Sequence, residues 1–151
     1  MRPGAMSRRA EAIALRIARP EEHDALEDLQ RRASLELEEY RNELLANPDA
    51  IHLPPAQIAN GQVIVAEFGG EVAGFAALVG GELDGLFVEP GLWRRGIGRA
   101  LIEAAAHEAR RKGLTLTVIA NPGARPFYES CGLTIEGETK TRFGPALRMS
   151  R

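Results

Sequence analysis

The sequence predicts a single α/β domain, with a mixed central sheet of about six to seven strands flanked by about four helices. Three observations predict it. Alternating apolar runs at 13–17, 63–67 and 72–79 read as strands. Apolar residues at helical spacing recur at 21–33 and 96–112. Residues 82–120 run strand, helix, strand, which implies a parallel, right-handed crossover. Residues 1–10 are expected to be a flexible N-terminus and 11–151 the domain.

Taken in order, Ile13-Ala-Leu15-Arg-Ile17 is the first strand. Pro20 then precedes Glu21 and Glu22, a helix start with proline and acids in its first turn. A second helix is expected at 34–45, and a loop or short turn at 46–60, where Pro48, Pro54 and Pro55 fall. Gly69-Gly70 turns the second strand into the third, and Gly80-Gly81 leads into a strand over 82–88. Gly85 inside that strand marks a bulge or a close-approaching ligand. The helix over 96–112 carries Ile97, Leu101, Ala104, Ala105 and Ala109 on or near one face. Its end is basic, with Gly113 as the C′ residue. A strand follows at 114–120, then a short helix within 122–131 and two strands near 133–138 and 143–149.

Composition bounds the function. Of 151 residues, 44% are hydrophobic and 26% charged, the balance of an ordinary globular domain. A net charge of -2 argues against a general nucleic-acid binder. No apolar run approaches the ~20 residues that span a bilayer, so neither membrane nor nucleic acid is expected as a partner, and the cytoplasm is the expected location. The single Cys131 cannot form an internal disulfide and is expected to be a buried thiol. His23, His52 and His107 have no ligand spacing, and no metal is expected. Residues 1–80 hold 8 basic and 13 acidic side chains, whereas 81–151 hold 11 basic and 8 acidic. The basic half suits a phosphate ligand. The acidic half hints at a cationic one.

The chemistry concentrates in two clusters. Trp93-Arg94-Arg95-Gly96-Ile97-Gly98-Arg99-Ala100-Leu101 follows a strand and opens a helix. A helix N-terminus offers unpaired N–H groups and the positive end of the dipole, and flanking arginines add charge. A P-loop is excluded because the Gly-Lys-Ser/Thr ending is missing. A dinucleotide fingerprint is excluded by Leu101 at its third glycine and Val118 at its acid. The second cluster is Asn121-Pro-Gly-Ala124-Arg-Pro-Phe127-Tyr128-Glu-Ser-Cys-Gly132-Leu133.

With both clusters in hand, the chain resembles the GNAT superfamily of acetyl-CoA-dependent N-acetyltransferases. Arg95-Gly96-Ile97-Gly98-Arg99-Ala100, after Val88-Glu-Pro90, is similar to the family's pyrophosphate loop. Asn121-x-x-Ala124-x-x-Phe127-Tyr128 is similar to its second cofactor motif. Trp93 stands where the family often has Gln or Arg, so a side-chain contact to the pyrophosphate is lost there or supplied by Arg94 or Arg99.

The resemblance implies acetyl-CoA as co-substrate and a small-molecule or peptide amine as acceptor. Backbone groups of Leu86, Phe87 and Val88 would pair with the pantetheine arm where two strands splay, one N–H polarising the thioester carbonyl. Amides of Arg94 to Ala100 (Arg94, Arg95, Gly96, Ile97, Gly98, Arg99, Ala100) would bind the pyrophosphate. Asn121 would hydrogen-bond the pantetheine and Phe127 would pack beside it. Tyr128 is the expected general acid, protonating the departing CoA thiolate. Glu82 is the preferred general base and Asp84 the second choice, both on one strand face. Tyr40, Glu36, Glu38, Glu39 and Glu43 fall where the family's first two helices wall the acceptor site. A homodimer is the family's common assembly, with no surface selected for it. The rival reading is a non-catalytic acyl-CoA-binding sensor, which needs neither Tyr128 nor a base.

Overall fold

Strand pairing closes β1 through β7 into one seven-stranded sheet in the order β1-β2-β3-β4-β5-β7-β6. The structure is a computed structural model describing residues 12–151, so the flexible stretch expected at 1–10 lies outside the described residues. The strands are β1 Ile13–Ile17, β2 Val63–Phe68, β3 Glu71–Val79, β4 Glu82–Val88, β5 Thr117–Ala120, β6 Thr134–Thr141 and β7 Gly144–Ser150. Every neighbouring pair is antiparallel except β4 and β5.

Five α-helices cover the sheet: α1 His23–Leu35, α2 Glu38–Ala46, α3 Pro55–Ala59, α4 Ile97–Arg111 and α5 Arg125–Ser130. The short α3 corrects the expected loop at 46–60. Pro55 begins it, where a missing N–H costs nothing, and Ile58 anchors it in the core. The strand expected from residue 114 begins at Thr117 instead. Gly113, at φ 73°, and Leu114 close α4 by donating to the carbonyls of Arg110 and Ala109. This double bond is the Schellman arrangement, and it takes Leu114 out of the strand.

The sheet carries a core on each face. On one, α4 and α5 bury Leu101, Ile102, Tyr128 and Leu133 against Leu83, Val118 and Met149. On the other, Leu26, Leu29 and Ile58 meet Val65, Phe75 and Ala77. Ile102 and Ala106 widen the predicted stripe of α4, whereas Ala104 is only half-buried. Arg32 of α1 ion-pairs with Glu89 and so ties α1 to the end of β4.

Two features of β4 set up the site. Its pairing with β5 covers only Glu82 with Thr117 and Leu83 with Val118, and beyond them the strands part. A bulge at Asp84 shifts the β3–β4 register from Leu78–Leu83 to Ala77–Gly85. The bulge is the one anticipated from Gly85. It re-phases the strand, so Leu83, Leu86 and Val88 join the α4 side while Phe87 joins Phe75 on the other.

Candidate active site

The gap between β4 and β5 is lined by backbone. Glu89 N–H donates to Ala73 C=O at 2.7 Å, and the register from there makes Phe87 and Phe75 a hydrogen-bonded pair. Leu86 and Val88 are the alternate residues, so their backbone groups turn from β3 into the gap. Of the three residues expected to line it, Phe87 is therefore turned away. Its backbone is directed to β3 and its ring packs 5.3 Å from that of Phe75.

At the mouth of the gap lies the arginine–glycine loop. Arg94 has φ 66°, the one positive φ at a non-glycine among the described residues. Gly96 follows in the left-handed region at φ 82° and serves as N-cap of α4. Strained backbone of this kind clusters at ligand clamps. Ala100 N–H makes the first helical bond, to Gly96 C=O, and no side chain caps this end. The amides of Ile97, Gly98 and Arg99 precede that bond and have no helical carbonyl to meet.

The arginines divide their tasks. Arg99 donates to Ser130 C=O at 3.0 Å and to Ser130 Oγ at 3.3 Å, binding α4 to α5. Arg95 lies 6.0 Å over the Phe68 ring. Arg94 has no ion pair or hydrogen-bonded side-chain partner among the described residues. Trp93 donates its indole N–H to Val88 C=O at 2.8 Å, capping one of the two carbonyls that face the gap.

The second cluster sits below. Asn121 Oδ1 accepts from Ala124 N–H at 3.0 Å, which leaves its Nδ2 hydrogens for another acceptor. Phe127 contacts the start of α4 and meets Tyr128 edge-on, ring centroids 5.2 Å apart. Tyr128 is buried beside Cys131 in the α4–α5 core. Burial pushes its phenol up to about 12, with a smaller contribution from Cys131, so the hydroxyl stays protonated at neutral pH.

Both carboxylates are exposed, and Glu82 lies within the paired start of β4. Asp84 stands at the bulge, where the strands part. Gln57 of α3 donates to Asp84 Oδ2 at 2.8 Å, and the Gln57 Oε1 is buried with no partner among the described residues. In parallel register Asp84 is level with Ile119, one step past Leu83 and Val118. Ile119 in turn lines a cavity of about 270 Å³ between α2, β5 and the β6–β7 hairpin. Asn121 and Tyr40 also line it.

A family model described as the acetyltransferase (GNAT) family matches residues 23–133. The chain belongs to this family. A 5-NmdU N-acetyltransferase of Pseudomonas phage PaMx11 is 28% identical over 151 residues, covering 89% of this chain and 96% of that protein. Among solved structures, a GCN5-related N-acetyltransferase from Rhodopseudomonas palustris is 27% identical, covers 91% of this chain and 94% of its own, and superposes with a TM-score of 0.75. PaiA N-acetyltransferase from Thermoplasma acidophilum, solved with coenzyme A, is 18% identical and shares the fold at a TM-score of 0.72, covering 93% and 99%.

Sequence reasoning missed two contacts around this candidate site. Gln57, 27 residues from Asp84, carries no local signal that the fold will bring them together. Arg142, at the tip of the β6–β7 hairpin, reaches Asp49 at 3.0 Å and Asn47 at 2.9 Å, holding the hairpin to the turn after α2. Among the described residues no three His, Cys, Asp or Glu side chains group as a metal site, and no helix is long and apolar enough to cross a membrane.

Proposed function

We propose that the protein moves an acetyl group from acetyl-CoA to a primary amine by direct attack in a ternary complex. The observation that carries this is the parting of β4 from β5 after Leu83 and Val118, with an uncapped helix N-terminus at the mouth of the gap. The residues fit the co-substrate. The amides of Ile97, Gly98 and Arg99, with the Arg94 guanidinium, would hold its pyrophosphate. The N–H and C=O of Leu86, the N–H of Val88 and Asn121 Nδ2 would hold the pantetheine arm. Acetyl-CoA supplies an activated acyl thioester when bound.

Tyr128 is the general acid of this reading. A phenol kept protonated by burial can hydrogen-bond the sulfur and release its proton as negative charge develops there. Asp84 replaces Glu82 as the favoured base. It stands where the strands part, is oriented by Gln57 and is level with the cavity wall at Ile119. Asp84 would take the proton of the incoming ammonium directly or through one water. A gap-facing N–H of Leu86 or Val88 would polarise the acetyl carbonyl. The similarity to a 5-NmdU N-acetyltransferase supports N-acetyl transfer over a sensor role.

The test is calorimetric titration with CoA and acetyl-CoA beside thiol release on a mixed amine panel. CoA binding with amine-dependent thiol release is the expected outcome. CoA binding without turnover on any amine favours the sensor. No binding overturns the assignment.

A further inference from the structure

We infer that the acceptor presents its amino group on a small, flat, uncharged body, an aryl- or heteroaryl-alkylamine, rather than on a polyamine or an amino acid. This rests on the transferase reading above and identifies what fills the cavity lined by Ile119 and Asn121.

The cavity walls are neutral. Among the described residues, none of its lining side chains is Asp, Glu, Lys, Arg or His. Leu37, Tyr40 and Leu44 follow helical spacing and turn one stripe of the α2 segment toward it. Glu38 and Glu43 fall outside that stripe and are exposed, so these acids of the N-terminal half do not line the acceptor cavity. A polyamine would bring further ammonium groups into a space that no described carboxylate lines, and an unpaired charge there is costly. An amino acid would bring a carboxylate. Arg142, the cation next along the chain from Phe143, is already taken by Asp49 and Asn47.

Shape and polarity select a ring. Phe143 from the hairpin joins Tyr40 from α2 as aromatic lining, and Ile119 of β5 also lines the cavity. About 270 Å³ lies at the small end of ligand sites and holds one ring with a short arm. Ser34 offers a polar contact to a ring edge. The lining hydroxyl of Thr141 is already engaged by Gly144 C=O and Phe143 N–H. With the ring seated, the amino group extends past Ile119 to Asp84. Its nitrogen lone pair forms the new C–N bond to the acetyl carbon and the C–S bond breaks. The ammonium first gives one proton to Asp84, the sulfur keeps the electron pair of the broken bond and takes the Tyr128 proton, and the second proton leaving the new amide nitrogen restores the Tyr128 phenol.

The test compares benzylamine, phenethylamine and 2-(aminomethyl)pyridine with putrescine, spermidine and lysine. Thiol release is read at saturating acetyl-CoA, and binding is read by calorimetry with and without CoA. The ring amines are expected to show kcat/KM at least about tenfold higher. Phe143→Ala is expected to raise their KM about fivefold or more while leaving the KM for acetyl-CoA within about twofold, and Phe143→Tyr to restore it. Melting curves confirm that each variant is folded. Turnover favouring polyamines or lysine, or ring amines that fail to bind, overturns the inference. Failure of CoA itself to bind is the separate result that overturns the transferase reading.

Discussion

Gly98 and Phe127 touch across the two sequence clusters. A Cβ at position 98 would lie 3.0 Å from Phe127 Cζ and 3.3 Å from its Cε1. The first turn of α4 and the first turn of α5 are thus fitted to each other through a missing methyl group. Gly98→Ala gains helix propensity worth about 1 kcal/mol but must displace the ring. The expected result is a melting temperature within a few degrees of the parent and about tenfold weaker CoA binding. Phe127→Ala in the same chain should recover part of that loss. Undiminished CoA affinity in Gly98→Ala, measured by calorimetry, would count against the cradle.

Trp93 is the only tryptophan of the chain, and its indole is bonded to a carbonyl that faces the gap. Intrinsic fluorescence should therefore change on titration with CoA. Trp93→Phe removes the donor and is expected to weaken CoA binding by roughly fivefold, the value of one net hydrogen bond. Unchanged emission through saturation would separate Trp93 from the site.

Tyr128→Phe should lower kcat at least about a hundredfold with little effect on CoA binding. Burial raises its pKa in the folded chain to about 12, above the ordinary 10. The proton is held more tightly when folded, so the associated stability is complete below pH 10 and is lost as pH rises toward 12. No alkaline limb of kcat below about pH 10 should come from this residue, and the Phe variant should keep any limb found there.

Asp84→Asn is expected to cut kcat by about a hundredfold, and Gln57→Ala by less, since glutamine only orients the carboxylate. Glu82→Gln should leave kcat within about twofold. A reversed order of Asp84 and Glu82 in steady-state kinetics would return the base to the start of β4.

Glu22 offers a test of stability apart from catalysis. Arg16 donates to both of its oxygens at 2.8 Å, and Arg19 N–H donates to Oε1 at 2.8 Å. Chiefly through the Arg16 bond, its carboxyl is pulled down to about 2. A depressed carboxylate stabilises above its unfolded pKa and stops doing so as pH falls through the folded value. The contribution, on the order of 2 kcal/mol, should be lost between about pH 4.5 and pH 2. Glu22→Gln should melt lower than the parent at pH 7 and nearly with it at pH 2.

Much of the fold was legible because each element carries its own signal. The hairpin at Gly69-Gly70, the helix ending at Gly113 and the bulge beside Gly85 are local decisions, made by backbone freedom and apolar spacing. The misread stretch at 46–60 was also local in kind. Prolines mark loops and helix starts alike, and only the burial of Ile58 decided for a helix. The side-chain assignments were less legible. The Arg99 side chain, one candidate for a phosphate contact, is bonded to Ser130, 31 residues away. Phe87 looked like a cofactor contact until the pairing of Glu89 with Ala73 fixed which way its backbone points.

By itself, the sequence determined the α/β class, the order of strands and helices along the chain, and a glycine-rich helix start followed by an Asn-to-Tyr cluster. These depend on spacing along the chain, which is written in the residues. Only the tertiary structure decided that β4 leaves β5 after two paired residues, that Leu86 and Val88 rather than Phe87 face the gap, that Asp84 is held by Gln57, and that α2, β5 and the β6–β7 hairpin enclose a cavity. Register, facing direction and cavity charge depend on which distant segments meet. That meeting is set by the packing of two cores against one sheet, which no local run of residues encodes.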